Sequence, residues 1–156
     1  LVLAEVYENP SAFANPAGAR LRNLAVRAYS GGGAAQLTVG FVVRGKGTQP
    51  VLIRAVGPGL KRFGVDGTMA APQLNVSGTL AGSNVVQSFS RVQQWDRRAG
   101  SSDVINAAGT LVGAFPLVPG DRDAAAVIFL PAGNYTLAAS DEDGGTGIAL
   151  LEVYAL

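Results

Sequence analysis

Short runs of β-forming residues, each ended by glycine, proline or asparagine, constrain the fold of this chain more than any other feature. The 156-residue sequence holds 21 Gly and 8 Pro, and these residues separate one run from the next. In residues 20–29 two sets of side chains alternate, as they do on the two faces of a strand. Short strands separated by Gly- and Pro-rich turns are typical of an all-β sandwich or barrel.

The pattern predicts about ten strands. Their ranges are 2–7, 20–29, 37–43, 51–56, 73–76, 84–89, 112–117, 124–130, 135–139 and 147–154. We expect Gly45-Lys46-Gly47 to close a hairpin, and residues 131–134 and 141–145 to form turns. A helical turn is predicted over 60–63. A short helix is predicted over 104–108, with Asp103 as its N-cap.

The last predicted strand has a second copy at the start of the chain. Residues 1–7 read LVLAEVY, and residues 148–154 read IALLEVY. With Glu5 aligned on Glu152, four of the seven positions are identical, and the other three are apolar in both copies. Side chains alternate across a strand, so equal register places equal residues on equal faces.

This doubled strand has two interpretations. The likeness arises by chance, or because a symmetric sandwich uses similar strands at two edges. Alternatively, the first copy belongs to another unit and fills a place like that of a closing strand on a neighbouring subunit. Such donation satisfies an exposed sheet edge through main-chain hydrogen bonds, and donation that does not close into a ring builds a filament. The second interpretation predicts an interface between copies formed by Leu1, Val2, Leu3, Ala4, Glu5, Val6, Tyr7, Leu150, Glu152 and Tyr154.

Several motifs point to a family of repeated modules. They are RLRNLAVR at 20–27, GFVV at 40–43, LIRAVGPGL at 52–60, VGAFPL at 112–117, LPAGNYT at 130–136 and GIALLEVY at 147–154. Through them residues 20–154 resemble a module of about 140–150 residues, repeated in tandem in large secreted or surface proteins of environmental bacteria. The resemblance implies that a Leu-Glu-Val-Tyr strand ends each module, and it implies no enzymatic activity. A piece cut from a tandem array and a single module that donates its strand both stay open.

The composition excludes several functions. The chain has no Cys and no His, which removes thiol catalysis, disulfides, Cys/His zinc sites and His-based triads. Its net charge is +1, and its 12 basic residues are scattered, unlike those of a nucleic-acid binder. The apolar runs are shorter than the roughly 20 residues that span a bilayer. Charged residues are only 15% of the chain, which suits burial against other protein.

Two acidic segments are candidates for a metal site or for ion pairs. Asp141, Glu142 and Asp143 offer oxygen ligands of the kind that Ca²⁺ takes, but their spacing is not that of an EF-hand. We therefore favour a solvated hairpin tip. Asp121 and Asp123 flank Arg122, and we expect a simple ion pair there.

Two further features involve an arginine and the aromatic residues. Arg54 lies among apolar residues of a predicted strand, so burial requires a partner, for which Asp66 and Glu152 are candidates. Trp95 with Tyr29 or Tyr135 is a candidate sugar-stacking platform, although we favour core positions for these residues. The resemblance gives no support to a ligand site near Trp95, because Gln93 and Gln94 replace the Asn-Asp that related modules carry.

Together these observations predict an all-β, jelly-roll-like β-sandwich of about ten strands with one or two short helical turns. Residues 1–8 form the strand that is open to donation, residues 9–19 a linker and residues 20–156 the sandwich domain. The function we expect is that of a secreted, extracellular or cell-surface structural protein whose identical subunits join head to tail. The alternative is a carbohydrate- or ligand-binding module of a bacterial surface protein. Neither an enzyme nor a cofactor is expected.

Overall fold

The structure is a computed structural model, and it describes residues 21–156. Its strands are β1 (Asn23–Ser30), β2 (Leu37–Val56), β3 (Pro72–Leu80), β4 (Gln87–Val92), β5 (Ala124–Asp141) and β6 (Gly147–Ala155). The described residues also form one α-helix, α1 (Ser101–Val112), and two 3-10 helices (Gly33–Ala35 and Pro58–Phe63). The predicted strand 1–8, the linker 9–19 and the predicted interface residues Leu1 to Tyr7 lie outside it.

All six strands join one antiparallel sheet in the order β1-β6-β2-β5-β3-β4. The all-β prediction is therefore confirmed. Because the hydrogen-bonded ladder is continuous over the described residues, the jelly-roll-like sandwich of two sheets stays a prediction.

Two long strands, β2 and β5, run through the whole sheet and pair with each other over both halves. Residues 37–43 of β2 lie against 133–139 of β5, and residues 48–55 lie against 124–131. β6 joins the second half of β2, whereas β3 joins the second half of β5. The sheet thus has different neighbours at its two ends.

The predicted hairpin at Gly45-Lys46-Gly47 is wrong. Both segments beside it pair with β5, so the chain passes straight through and β2 shifts register between Val43 and Thr48. Gly45 and Gly47 have φ of 110° and 80°, backbone angles that glycine tolerates and that suit an irregularity in a strand. The predicted turn at 131–134 is likewise part of β5, opposite the same irregularity. These two corrections reduce the number of strands.

Side chains on the two faces of the sheet enter two cores. The sheet core includes Val51, Ile53, Ala55, Leu74, Val76, Leu137, Ala149, Leu151 and Val153. The helix core lies on the opposite face of β2 and β6, and includes Leu52, Val56, Trp95, Ile105, Ala108 and Tyr154. The second half of β2 and β6 are therefore buried on both faces.

The helix α1 is longer than predicted. It starts after Gly100 and ends before Gly113, and both glycines have left-handed backbone angles. Asp103 lies in its first turn and is not the N-cap. Because Val112 is the last residue of α1, the predicted strand 112–117 is wrong. No helix among residues 21–156 has the length and apolar content needed to cross a membrane.

Candidate functional site

The predicted interface residues Leu150, Glu152 and Tyr154 lie in β6, between two strands of their own chain. Glu152 is opposite Ala25 of β1 on one side and Arg54 of β2 on the other. All three side chains are on the face of the sheet that α1 covers, because every second residue of a strand shares a face. Glu152 and Tyr154 are buried there. Their contacts within the described residues are thus intramolecular, and their part in an interface between copies stays a prediction.

Glu152 is the partner of Arg54, as one of the two sequence-based candidates predicted. The Nε of Arg54 lies 3.0 Å from Oε2 of Glu152, although the two are not aligned for a linear hydrogen bond. The side chains are only 2% and 5% exposed. Tyr154 Oη donates to Glu152 Oε1 at 2.6 Å. Strand register alone brings the pair together, because the two residues are directly opposite each other in β2 and β6.

The guanidinium of Arg54 has further contacts with Phe115. Its Nη1 donates to the Phe115 carbonyl oxygen at 2.9 Å, and the Phe115 ring lies 4.3 Å from the guanidinium carbon. Burial lowers the pKa of Arg54, and the charge of Glu152 opposes that shift. Burial and then the hydrogen bond to Glu152 raise the pKa of Tyr154 to about 12. This cluster fixes the register of β6 on β2.

A cavity of about 300 Å³ lies between α1 and residues 114–117, with Arg54 in its wall. The other polar side chains in that wall are Asn106 and Thr110. Arg54 Nη2 is buried without a hydrogen-bond partner among the described residues. Since Glu152 already balances the charge of Arg54, we assign no ligand to this cavity.

Asp123 ties the start of β5 to the turn that follows β2. Its Oδ1 accepts hydrogen bonds from the backbone N–H groups of Gly57 (2.8 Å) and Gly59 (3.3 Å). A Cβ on Gly59 would lie 2.4 Å from Asp123 Oδ2, so only glycine fits there. Burial raises the pKa of Asp123 despite the two donors. This contact could not be predicted from the residue types, because the partners are main-chain groups.

The acidic turn at 141–143 is held by hydrogen bonds and ion pairs. Asp141 accepts backbone N–H groups from Ala71, Asp143 and Gly145. Arg122 reaches Asp143 at 2.6 Å and Glu142 at 3.1 Å, and it lowers the pKa of Asp143. The predicted pairing of Arg122 with its sequence neighbours is therefore wrong. Within residues 21–156 no group of three or more acidic side chains is placed to hold a metal ion.

The candidate aromatic platform is not formed, and the favoured core positions are confirmed for Trp95 and Tyr135 but not for Tyr29. Trp95 is 2% exposed in the helix core, and Tyr135 is buried in the sheet core, on the other side of the sheet. Tyr29 is 64% exposed and donates to Thr146 Oγ1 at 2.7 Å. These three aromatic residues do not form one surface.

Four stretches of the described sheet have a paired strand on one side alone. They are β1, β4, residues 37–43 of β2 and residues 125–131 of β5. In β1, Leu24, Arg27 and Tyr29 are exposed, and Val26 is half-buried at the margin of the sheet core. Within residues 21–156, β1 is thus an edge strand beside β6, the strand whose sequence recurs at 1–7.

No protein-family model matches this chain, and no curated protein matches it either. Its function is therefore inferred from its own residues.

Proposed function

We propose that this chain is a structural subunit, or one repeat, of an extracellular or cell-surface assembly, and that it joins its neighbours by donating residues 1–7 as a strand. The observation that carries the proposal is the environment of β6, whose sequence those residues repeat. β6 has a strand on each side and is buried on both faces. A second segment with the same apolar pattern needs a similar enclosure, and β6 already occupies that place in its own chain.

Strand addition at a sheet edge supplies such an enclosure. An edge strand presents unpaired N–H and C=O groups, and an added strand satisfies them along its whole length. The described sheet ends at β1, directly beyond β6. Residues 1–7 of another copy, added at this edge, would extend the sheet by one strand and cover half-buried Val26.

Head-to-tail growth follows from this arrangement, because donor and acceptor are different surfaces of the molecule. A contact between unlike surfaces builds a filament unless the rotation between subunits closes a ring. The low charge content, 15% of residues, fits a chain whose surface is covered by other copies. The extracellular location rests on the resemblance to modules of secreted and surface proteins.

Among residues 21–156 no observation favours the carbohydrate-binding alternative. The aromatic residues nominated for sugar stacking are separated by the sheet or stand alone. We therefore propose assembly alone.

Deletion of residues 1–7 tests the proposal. We expect the full chain to form filaments in negative-stain microscopy, and the truncated chain to remain monomeric in sedimentation. Circular dichroism and thermal unfolding of the truncated chain show whether it keeps its fold. Assembly of a folded truncated chain at the same concentration as the full chain overturns the proposal.

Two proline variants form a matched pair that leaves the chain length unchanged. Leu3→Pro removes a backbone N–H from the middle of the donated strand, and a strand does not tolerate the loss of an N–H that faces its partner. Ala12→Pro makes the same change in the predicted linker, which already contains Pro10 and Pro16. We expect Leu3→Pro to stop assembly and Ala12→Pro to leave it intact; equal behaviour of the two variants contradicts strand donation.

A further inference from the structure

The two strands that flank β6 share a sequence pattern. Residues 51–56 of β2 read VLIRAV, and residues 24–29 of β1 read LAVRAY. The Arg-Ala pair is identical, and the other four positions are apolar or aromatic in both segments. β1 thus resembles the part of β2 that receives β6, just as residues 1–7 resemble β6 itself.

The positions of the two segments in the sheet are also alike. Both are antiparallel to β6, with Arg54 opposite Glu152 and Arg27 opposite Leu150. Glu152 and Leu150 are two residues apart, so both arginines are on the same face of the sheet. Val26 and Ile53, which precede the arginines, both contribute to the sheet core on the opposite face.

The two arginines differ in their partners. Arg54 is buried against the Glu152 carboxylate. Arg27 is exposed, and within residues 21–156 no carboxylate pairs with it. β1 therefore has the arginine of the β2–β6 contact without the glutamate.

We infer that the free edge of β1 receives residues 1–7 of a second copy, antiparallel and with Glu5 opposite Arg27. This inference rests on the proposed function and names the surface through which it acts. The pair repeats the contact of Glu152 with Arg54, one strand farther out in the sheet. Opposite charges directly across two strands favour that register, and a slip by one residue places the glutamate on the other face.

The other side chains agree with this register. The predicted pairs are Leu3 with Tyr29, Ala4 with Ala28, Val6 with Val26 and Tyr7 with Ala25. Val6 and Ala4 then extend the sheet core over half-buried Val26, and Leu3 packs on exposed Tyr29. Each pair is on the face of the equivalent β2–β6 pair: Val6 with Val26 corresponds to Val153 with Ile53.

The other three free stretches fit the donated strand less well. Residues 37–43 of β2 lead into Arg44 and Lys46 at the register shift, and charge and irregularity protect an edge from pairing. β4 has only six residues, and four of their side chains are polar. Residues 125–130 of β5 are apolar and end at Pro131, and they offer Glu5 no cation.

Disulfide trapping tests the inference cleanly, because the chain has no cysteine. Two full-length variants, Glu5→Cys and Arg27→Cys, are purified separately, mixed and oxidised. Each chain has one thiol, so a 5–27 disulfide has to join two copies, and opposed residues of neighbouring strands are close enough to form it. The matched mixtures pair Glu5→Cys with Arg44→Cys, Arg91→Cys or Phe129→Cys, one for each competing edge.

We expect mass spectrometry to find the 5–27 linked peptide at least about tenfold above the three competing links. Preferential linkage at position 44, 91 or 129 overturns the choice of edge while leaving strand donation standing. Closure of the 5–27 disulfide within one chain of the double-cysteine variant, without a link between mixed single variants, overturns both.

A second experiment tests strand binding at the β1 edge independently of polymerisation. A synthetic peptide of residues 1–8 with cysteine at position 5 is added to the full-length chain carrying Leu3→Pro and Arg27→Cys, whose own residues 1–7 cannot donate. We expect a peptide–protein disulfide at position 27 even when no filament forms. Absence of this adduct in a folded chain overturns the inference.

Charge exchange provides a check on register. Arg27→Glu places two carboxylates opposite each other, and we expect the critical concentration for assembly to rise by about tenfold. The double variant Glu5→Arg with Arg27→Glu restores the pair in the opposite sense and is expected to recover assembly. An Arg27→Glu chain that assembles like the native chain contradicts the proposed register.

Discussion

The two strands beside β6, β1 and β2, have similar sequences around an arginine and very different environments. Residues 51–56 of β2 are buried throughout, because β5 lies on their other side and α1 covers one face. Most of β1 is exposed, because no described strand lies beyond it. The same Arg-Ala pattern thus forms a core ion pair in one strand and an open edge in the other. One additional strand beyond β1 would give β1 a strand on each side, as β2 has.

The largest loss of stability is expected from a substitution at Arg54. Arg54→Met leaves the Glu152 carboxylate buried without its cation, and we expect the free energy of unfolding to fall by about 3–5 kcal/mol. Urea denaturation of the Leu3→Pro chain, which is expected to be monomeric, measures the change without a contribution from assembly.

The control for this prediction removes both charges. Arg54→Met with Glu152→Gln keeps an acceptor for the Tyr154 hydroxyl but leaves no unpaired ion. We expect the double variant to recover more than half of the loss. A single Arg54→Met variant with native stability would mean that the ion pair does not distinguish β2 from β1.

An intermediate effect is expected at Asp123, which ties the end of β2 to β5. Asp123→Ala removes the acceptor of two backbone N–H groups, both in buried hydrogen bonds, and should cost about 2–4 kcal/mol. Asp123→Asn keeps a carbonyl acceptor and should cost less than about 1 kcal/mol. If both variants lose the same stability, the two hydrogen bonds are not the reason.

The buried carboxyl of Asp123 also predicts that the free energy of unfolding depends on pH. Burial raises the pKa of Asp123 above its ordinary 3.8, so the folded state holds this proton more tightly than the unfolded chain. The stability that protonated Asp123 contributes is complete below about pH 3.8 and is lost as the pH rises through the raised pKa. Asp123→Asn has no such loss. Its unfolding free energy relative to the native residue should therefore increase with pH over that interval, and a flat difference contradicts the shift.

Local sequence patterns predicted the structural features that depend on residues close together in the chain. The all-β class, the ends of β6, the turn at 60–63 and the presence of a helix near 104–108 follow from turn residues and apolar alternation. The need for a partner to Arg54 followed from its apolar neighbours, but only the register of β2 and β6 selects Glu152 over Asp66. The doubled strand was visible by alignment alone.

What the sequence did not predict depends on distant partners. Gly45-Lys46-Gly47 has the composition of a hairpin turn, and only the shared partner β5 shows that the chain passes straight on. Asp123 contacts main-chain N–H groups, which leave no mark in the residue types. The strand order places β1 at an edge of the described sheet and β6 inside it, although the sequence predicted both simply as strands.

The smallest effect is expected at Arg27 in the monomer. Arg27→Gln in the Leu3→Pro chain changes an exposed side chain on an edge strand of the described sheet, so the unfolding free energy should shift by no more than about 0.5 kcal/mol. In the full chain the same change removes the predicted partner of Glu5 and should weaken assembly. A monomer that loses as much stability from Arg27→Gln as from Arg54→Met would have Arg27 already in a buried pair within its own chain. In that case β1 would not be a free edge, and no second copy would be needed to complete it.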